Sequence, residues 1–167
     1  MLQKHERLEG AVCGIIKRWT LQTALRDQRV PTWDREVETR DGGRRMEQAI
    51  LDIECTDGGT RRWVDVTVRH PLAGSPAEVQ RAAKRAGEAA RRGEREKHTR
   101  YPGDGLTAFA VESYGRVGAE ARQWLKKLAT ELPDDVRTAE MTRAYKVISC
   151  AVQSELALQL RAASCLK

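Results

Sequence analysis

Aromatic residues are scarce in this sequence, making up 5% of its 167 residues, with a single phenylalanine among them. The core must therefore be assembled from Ala, Val, Leu and Ile, with the four Trp as its main large pieces. Cys13, Cys55, Cys150 and Cys165 lie far apart and include no CxxC and no Cys/His pair at ligand spacing, which speaks against a zinc site. No apolar run approaches the roughly 18 residues of a membrane span. The opening Met-Leu-Gln-Lys-His-Glu-Arg is too charged to begin a secretory signal. No membrane partner is expected, and the thiols read as those of a reduced, intracellular protein. Internal repeats and low-complexity linkers are missing too. Residues 1–167 thus read as one domain, with a core over about 1–132 and a C-terminal helix over about 134–165.

Charge, by contrast, is plentiful at 32% of residues, with a net +6 that is unevenly spread. Between Arg81 and Arg100, eight basic residues stand against three glutamates, an excess of five. A local positive field of this kind attracts polyanions, of which nucleic acid is the commonest, although a solvated helix face with interleaved Glu would look similar.

Leu8, Val12, Ile15, Ile16 and Trp19 recur at helical spacing, which predicts an amphipathic helix over the first two dozen or so residues, with His5 on the same side. After Pro31 the period changes. Trp33 to Thr39 is a short strand candidate, Asp41-Gly42-Gly43 a turn and Arg45 to Cys55 a longer strand, and Thr56 to Thr60 closes a hairpin onto Arg61 to Arg69. Ser75-Pro76-Ala77-Glu78 is a helix start with N-cap Ser, Pro at the first position and Glu completing the capping box, and the helix should run to about His98. A strand at Thr107 to Glu112, a helix from Ala119 to about Leu132 and a long final helix after Pro133, burying Val147, Ile148, Ala151 and Val152, complete the order. This is an α/β sandwich around a small mixed sheet.

The chemistry concentrates in Trp63 to His70, where one carboxylate stands among β-branched and aromatic residues. Trp63, Asp65 and Thr67 share one face of such a strand, with Val64, Val66 and Val68 on the other, so Asp65 looks into a cleft, a metal or a basic partner. On the strand from Arg45 to Cys55, alternation places Glu47 on the apolar side with Ala49, Leu51, Ile53 and Cys55, and leaves Met46, Gln48, Ile50, Asp52 and Glu54 opposite. Glu47 and Asp65 on neighbouring strands would repel unless a hard divalent cation, magnesium or manganese, lay between them. Val79, Ala82, Ala86, Ala90, Gly93 and Lys97 follow steps of three and four, so Lys97 lies on the stripe that packs against the sheet, while Arg81, Arg85, Arg92 and Arg95 remain outside for phosphates. The plainer readings pair Asp65 with Arg61 or Arg62, leave Glu47 as a strand-end charge in solvent and let Lys97 reach out past the helix end.

Arg45-Met46-Glu47, Trp63 to Pro71, Glu94 to Tyr101 and Phe109 to Ala121 together resemble, in order and over the middle half of the chain, one known domain type. This is the restriction-endonuclease-like domain of the PD-(D/E)XK superfamily, found downstream of reverse transcriptase in site-specific non-LTR retrotransposon proteins. The resemblance implies a restriction-endonuclease-like α/β sandwich with a central mixed four-stranded sheet flanked by helices. It implies a magnesium-dependent (or manganese-dependent) endonuclease that nicks target DNA, and partners that include DNA and the other domains of a larger polyprotein. The location it implies is intracellular, nuclear if eukaryotic. By position, Asp65 matches the central acidic metal ligand and Lys97 the lysine of the following helix, while Thr67 stands where the wider superfamily has its lysine. Glu47 matches the first acid. A register shifted by one would put Gln48 there and weaken metal binding, but the face alternation favours Glu47. The Val66 carbonyl would add a metal ligand, Arg100 joins the DNA-binding arginines, and Tyr101, Glu112 and Arg116 fit as supporting residues. A catalytically inactive nucleic-acid-binding module of the same fold is the alternative, and a basic scaffold that pairs its long C-terminal helix with a partner protein a third reading.

Overall fold

A computed structural model describes residues 6–164; His5 and Cys165 lie outside the described residues. Helix α1 (Glu6–Thr20) buries Leu8, Val12, Ile15, Ile16 and Trp19, as their spacing predicts. It stops earlier than expected. The Thr20 hydroxyl donates back to the Ile16 carbonyl at 2.9 Å, and Leu21 then takes a positive φ of 54°. The residues that follow form a strand, β1 (Leu25–Arg29), where the continuing helix was expected. After one 3-10 turn (Pro31–Trp33) come β2 (Arg35–Glu38) and β3 (Arg44–Glu47), which form a separate two-stranded ribbon.

The single strand expected from Arg45 to Cys55 is two, β3 and β4 (Ile50–Asp57). At the break the Ala49 amide donates to the Asp34 carboxylate and the Ala49 carbonyl accepts the Val30 amide, both at 2.8 Å. Backbone groups that would have extended the ribbon are thus satisfied elsewhere. A two-glycine turn at Gly58 and Gly59 leads into β5 (Thr60–Arg69), and β6 (Leu106–Glu112) completes the main sheet. Its order is β1-β4-β5-β6, antiparallel except for the parallel β5–β6 pair. The chain is therefore an α/β protein with a mixed four-stranded sheet, but β1 fills the place expected for the Trp33–Thr39 strand.

The helix expected from Ser75 to about His98 is also divided. Its capping box forms as predicted at the start of α2 (Pro76–Lys84), but Arg85 is extended and Gly87 adopts φ 81° before α3 (Glu88–Arg100) begins. A left-handed residue cannot continue a right-handed helix, so the five-turn spacing from Val79 to Lys97 is lost. Its second half, Ala90, Gly93 and Lys97, still runs along one helix. The chain ends in α4 (Ala119–Leu128), a 3-10 turn and the long α5 (Asp134–Ser164).

Ile53, Val64, Val66, Phe109 and Val111 cover one face of the sheet and pack with α1, α4 and α5. Phe109 meets Trp124 edge to face, with ring centroids 6.0 Å apart. From α5 this core takes Ala144, Ile148 and Val152, whereas Val147, expected beside them, is 40% exposed. On the other face α3 lies across β5 and β6. It approaches closely because residue 93 is glycine: a Cβ there would come within 3.1 Å of the Thr67 and Arg69 side chains. Gly93→Val is accordingly expected to lower unfolding stability by about 2 kcal/mol, as over-packing does, measured by urea denaturation.

Candidate functional site

The close approach of α3 sets the geometry around Asp65. That residue is 3% exposed in the middle of β5, on the α3 side of the sheet. Lys97 Nζ sits against its Oδ2 as an ion pair. Neither arginine considered for that role takes it, since Arg61 binds Glu54 at 2.6 Å and Arg62 donates to the Asp104 carbonyl. Thr67, one step along the same face, is buried beneath Gly93. On the far side of α3, Glu120 accepts the Ala108 amide at 2.8 Å and lies 2.8 Å from His98 Nε2, while buried Glu94 accepts the Glu120 amide at 3.0 Å. Ala108 is the partner of Asp65 in the parallel ladder, so this network holds α3, α4 and β6 together at the level of the site.

The carboxylate brought to Asp65 is Asp52, not Glu47. Counting outward from the turn, the pairs run from Asp57–Thr60 to Ile53–Val64, and the next step places Asp52 opposite Asp65. There the ladder gives way, and Asp52 Oδ2 instead accepts the Val66 amide at 2.5 Å. Burial, and next the neighbouring Asp65 carboxylate, push the Asp52 carboxyl up to about 8. Val66 itself turns its side chain into the opposite core.

Glu47 is placed elsewhere, and the correction has a simple cause. The break before β4 restarts the face alternation and carries β3 out of the main sheet. Glu47 is paired with Arg35 at 2.8 Å and Arg100 at 2.9 Å, and Arg35 above all, with Arg100 and Arg45, holds its carboxyl below the usual range. Its charge is already matched. Gln48, the alternative, falls in the break itself. The signal for Asp52 was present in the sequence: a two-residue Gly58-Gly59 turn fixes the hairpin register, and the count from it leads to Asp52 without reference to faces.

The supporting residues divide between the two ends of α3. Tyr101 is buried against Trp33, with ring centroids 5.5 Å apart, and burial first and Asp65 second raise its hydroxyl pKa. It belongs to the site. Glu112 and Arg116 do not: Glu112 accepts the Ala89 amide at the start of α3 at 3.1 Å and pairs with Arg116 at 3.6 Å, fastening the opposite end of that helix. Of the five arginines expected to contact DNA, Arg92 is clasped by Glu78 at 3.2 Å and by the Ala73 carbonyl at 2.9 Å, Arg95 faces Glu88 at 3.4 Å and Arg100 is held by Glu47. Arg81 and Arg85 are exposed and make no ion pair among the described residues.

Among the described residues no three His, Cys, Asp or Glu side chains form a metal-binding group. The donor set here is a half-buried carboxylate, Asp52, and a buried one, Asp65, on adjacent strands, and it fits a hard divalent cation because bringing two such oxygens together otherwise favours a proton retained on Asp52. No protein-family model matches the chain, and no curated protein matches it.

Without a divalent cation, the folded chain keeps the Asp52 proton up to about pH 8, whereas the unfolded chain loses it near an ordinary aspartate value of about 4. The folded state thus binds more protons across that window, and stability falls as pH rises through it. Asp52→Asn is expected to flatten this fall and to raise Tm at the alkaline end relative to wild type. Thermal melts in chelator across the window check this, and an unchanged slope counts against the repelling pair.

Proposed function

We propose that this chain is a metal-dependent DNA endonuclease, the target-nicking domain of a mobile-element protein with the restriction-endonuclease-like fold. The observation that carries the reading is the pairing of half-buried Asp52 with buried Asp65, with Lys97 seated against Asp65. Asp52 and Asp65, with the Val66 carbonyl, would hold magnesium or manganese. Bound there, such an ion would supply Lewis-acid stabilisation of a phosphodiester and a lowered pKa for an attacking water.

The chain's own residues account for the rest. Asp52 gives up its proton when its charge is balanced, which ties activity to alkaline conditions. Lys97 presents an ammonium beside the carboxylates, where it can hold water or offset charge building on a phosphate. Tyr101 and Trp33 exclude solvent behind the site. The exposed cations of α2 and the arginines around Glu47 lie on either side of it and would meet the DNA backbone.

A second reading, a catalytically inactive nucleic-acid-binding module, is favoured by one observation. With Asp52 protonated, Asp65 and Lys97 already balance each other, so the fold needs no metal. Nicking of supercoiled plasmid in magnesium, manganese or chelator separates the two. Asp65→Asn and Asp52→Asn should each reduce nicking at least about 100-fold, on the scale of a lost electrostatic catalytic group, while duplex binding stays near wild type. Glu47→Gln should retain nicking within about threefold. Wild-type nicking by Asp65→Asn would sink the endonuclease assignment, and magnesium-independent binding without cutting would support the inactive module.

A further inference from the structure

Helix α2 is weakly anchored. None of its nine residues is buried, and it is tied down by its Ser75 cap and by the Arg92 clasp on Glu78. Beside it lies an open groove of about 620 Å³, floored by Ala82, Ala83, Ala86 and Gly87 and closed on the far side by Tyr114 and Arg116. Three features of this groove have no role in the fold or in the carboxylate site.

The first is Tyr114, a large aromatic that is 60% exposed. It meets His70 at 64° with ring centroids 5.4 Å apart, an edge contact that leaves ring surface open for stacking. The second is the small-residue floor, which nothing among the described residues covers and which admits a flat ring at close range. The third is charge. Arg81, Lys84 and Arg85 do not line the groove but are exposed on and just after α2, next in sequence to its alanine floor, and make no ion pair among the described residues, in a chain where Arg91, Arg92 and Arg95 of α3 are all paired with glutamates. The carboxylate in the groove, Glu112, is itself bound by the Ala89 amide and Arg116.

We infer that this groove binds an unpaired DNA strand, with a base stacked on Tyr114 over the alanine floor and its phosphates along Arg81, Lys84 and Arg85. Aromatic surface for the base face and free cations for the backbone are the two requirements of single-strand recognition. Duplex DNA keeps its base faces inside the stack and would use the cations alone. The groove lies at the end of β5 and β6 marked by the Arg69–Glu112 pair, four residues beyond Asp65, roughly 13 Å at the rise of a strand. A strand held there would continue toward the carboxylate site. The inference rests on the proposed action on DNA, and deepens it: the substrate would carry an unpaired segment beside the position that is cut.

Binding in chelator tests it without reference to cutting. Fluorescence anisotropy would compare a labelled oligothymidylate of about 12 nucleotides, within the span of single-strand sites, with a duplex of equal length. Tyr114→Ala should raise Kd for the single strand about 10-fold and change duplex Kd less than about twofold, and Tyr114→Phe should bind as wild type. Combining Arg81→Ala, Lys84→Ala and Arg85→Ala should reduce the salt slope of single-strand binding by about 2. These are surface positions, and circular dichroism melts verify that the variants fold. The inference is overturned if Tyr114→Ala binds the single strand within about twofold of wild type, if duplex and single-strand affinities fall equally, or if an acidic peptide competes better than the oligonucleotide. Loss of single-strand affinity in Tyr114→Ala by a protein that never nicks would leave the groove standing and remove the nuclease. Nicking with no effect of Tyr114 would do the reverse.

Discussion

The arrangement around Asp65 depends on one electrostatic constraint: a carboxylate withdrawn from water in the middle of a sheet must have its charge answered nearby. Lys97 answers it from the helix above. Much of the local construction serves that contact. Gly93 lets α3 lie close enough for a side chain one turn later to reach β5, and extended Arg85 with left-handed Gly87 separates α3 from α2 so that α3 can take its own line. Glu112 at the first turn of α3 and the Glu94–Glu120–His98 network near its end hold the helix in register with β6. Asp52 then introduces a second carboxyl, which burial first and the Asp65 charge next push up to about 8.

The numerous surface ion pairs have a different weight. Pairs such as Arg44–Glu36 and Arg137–Asp134 join exposed side chains, and such contacts contribute little to stability. Stability comes from the apolar layer between the sheet and α1, α4 and α5, in which Ile16, Ile53, Val64, Phe109, Leu125 and Ile148 are wholly enclosed. The side of the sheet that carries Asp65 has a much smaller apolar cluster, Val30, Ala49, Leu51, Tyr101 and Leu106. One face is built for packing and the other for charge. A polar site can be tolerated on the second because the first carries the fold.

Period and punctuation made much of this legible. The amphipathic start of the chain, the glycine hairpin, the Ser75 capping box and the long last helix appear where their residues imply, as does the opposition of Asp65 and Thr67 to Val64 and Val66. Long continuous elements were read too long. At Ala49 the chain leaves one sheet for another because a side chain, that of Asp34, captures its amide, an event that no local pattern records. Face alternation carried through that break put Glu47, rather than Asp52, beside Asp65. Lys97 was placed correctly by a stripe whose first half does not exist, because the local spacing from Ala90 sufficed. Tertiary pairing was also hidden: the basic run reads as one field, yet Arg92 and Arg95 are spent on glutamates, while Arg81, Lys84 and Arg85 make no ion pair among the described residues.

Charge balance connects the fold to the proposed chemistry. With one proton on Asp52, the group of Asp52, Asp65 and Lys97 is neutral overall, and a buried neutral group is compatible with a stable chain in the absence of any ion. Under the proposed function, Asp52 and Asp65 would hold the metal, Asp52 having released its proton, and Asp65 would lean less on Lys97. The ammonium would then be left beside the cleft with fewer partners, where an approaching phosphate could accept its hydrogen bonds. On this reasoning the lysine would serve two states with one position: it offsets Asp65 in the metal-free fold, and under the proposed function it would be available to a phosphate. A glutamate in place of Asp52 would add a methylene between strand and carboxyl, lengthening its reach toward Lys97 and disturbing that exchange. The shorter side chain, anchored by the Val66 amide, keeps the second carboxyl fixed on its own strand.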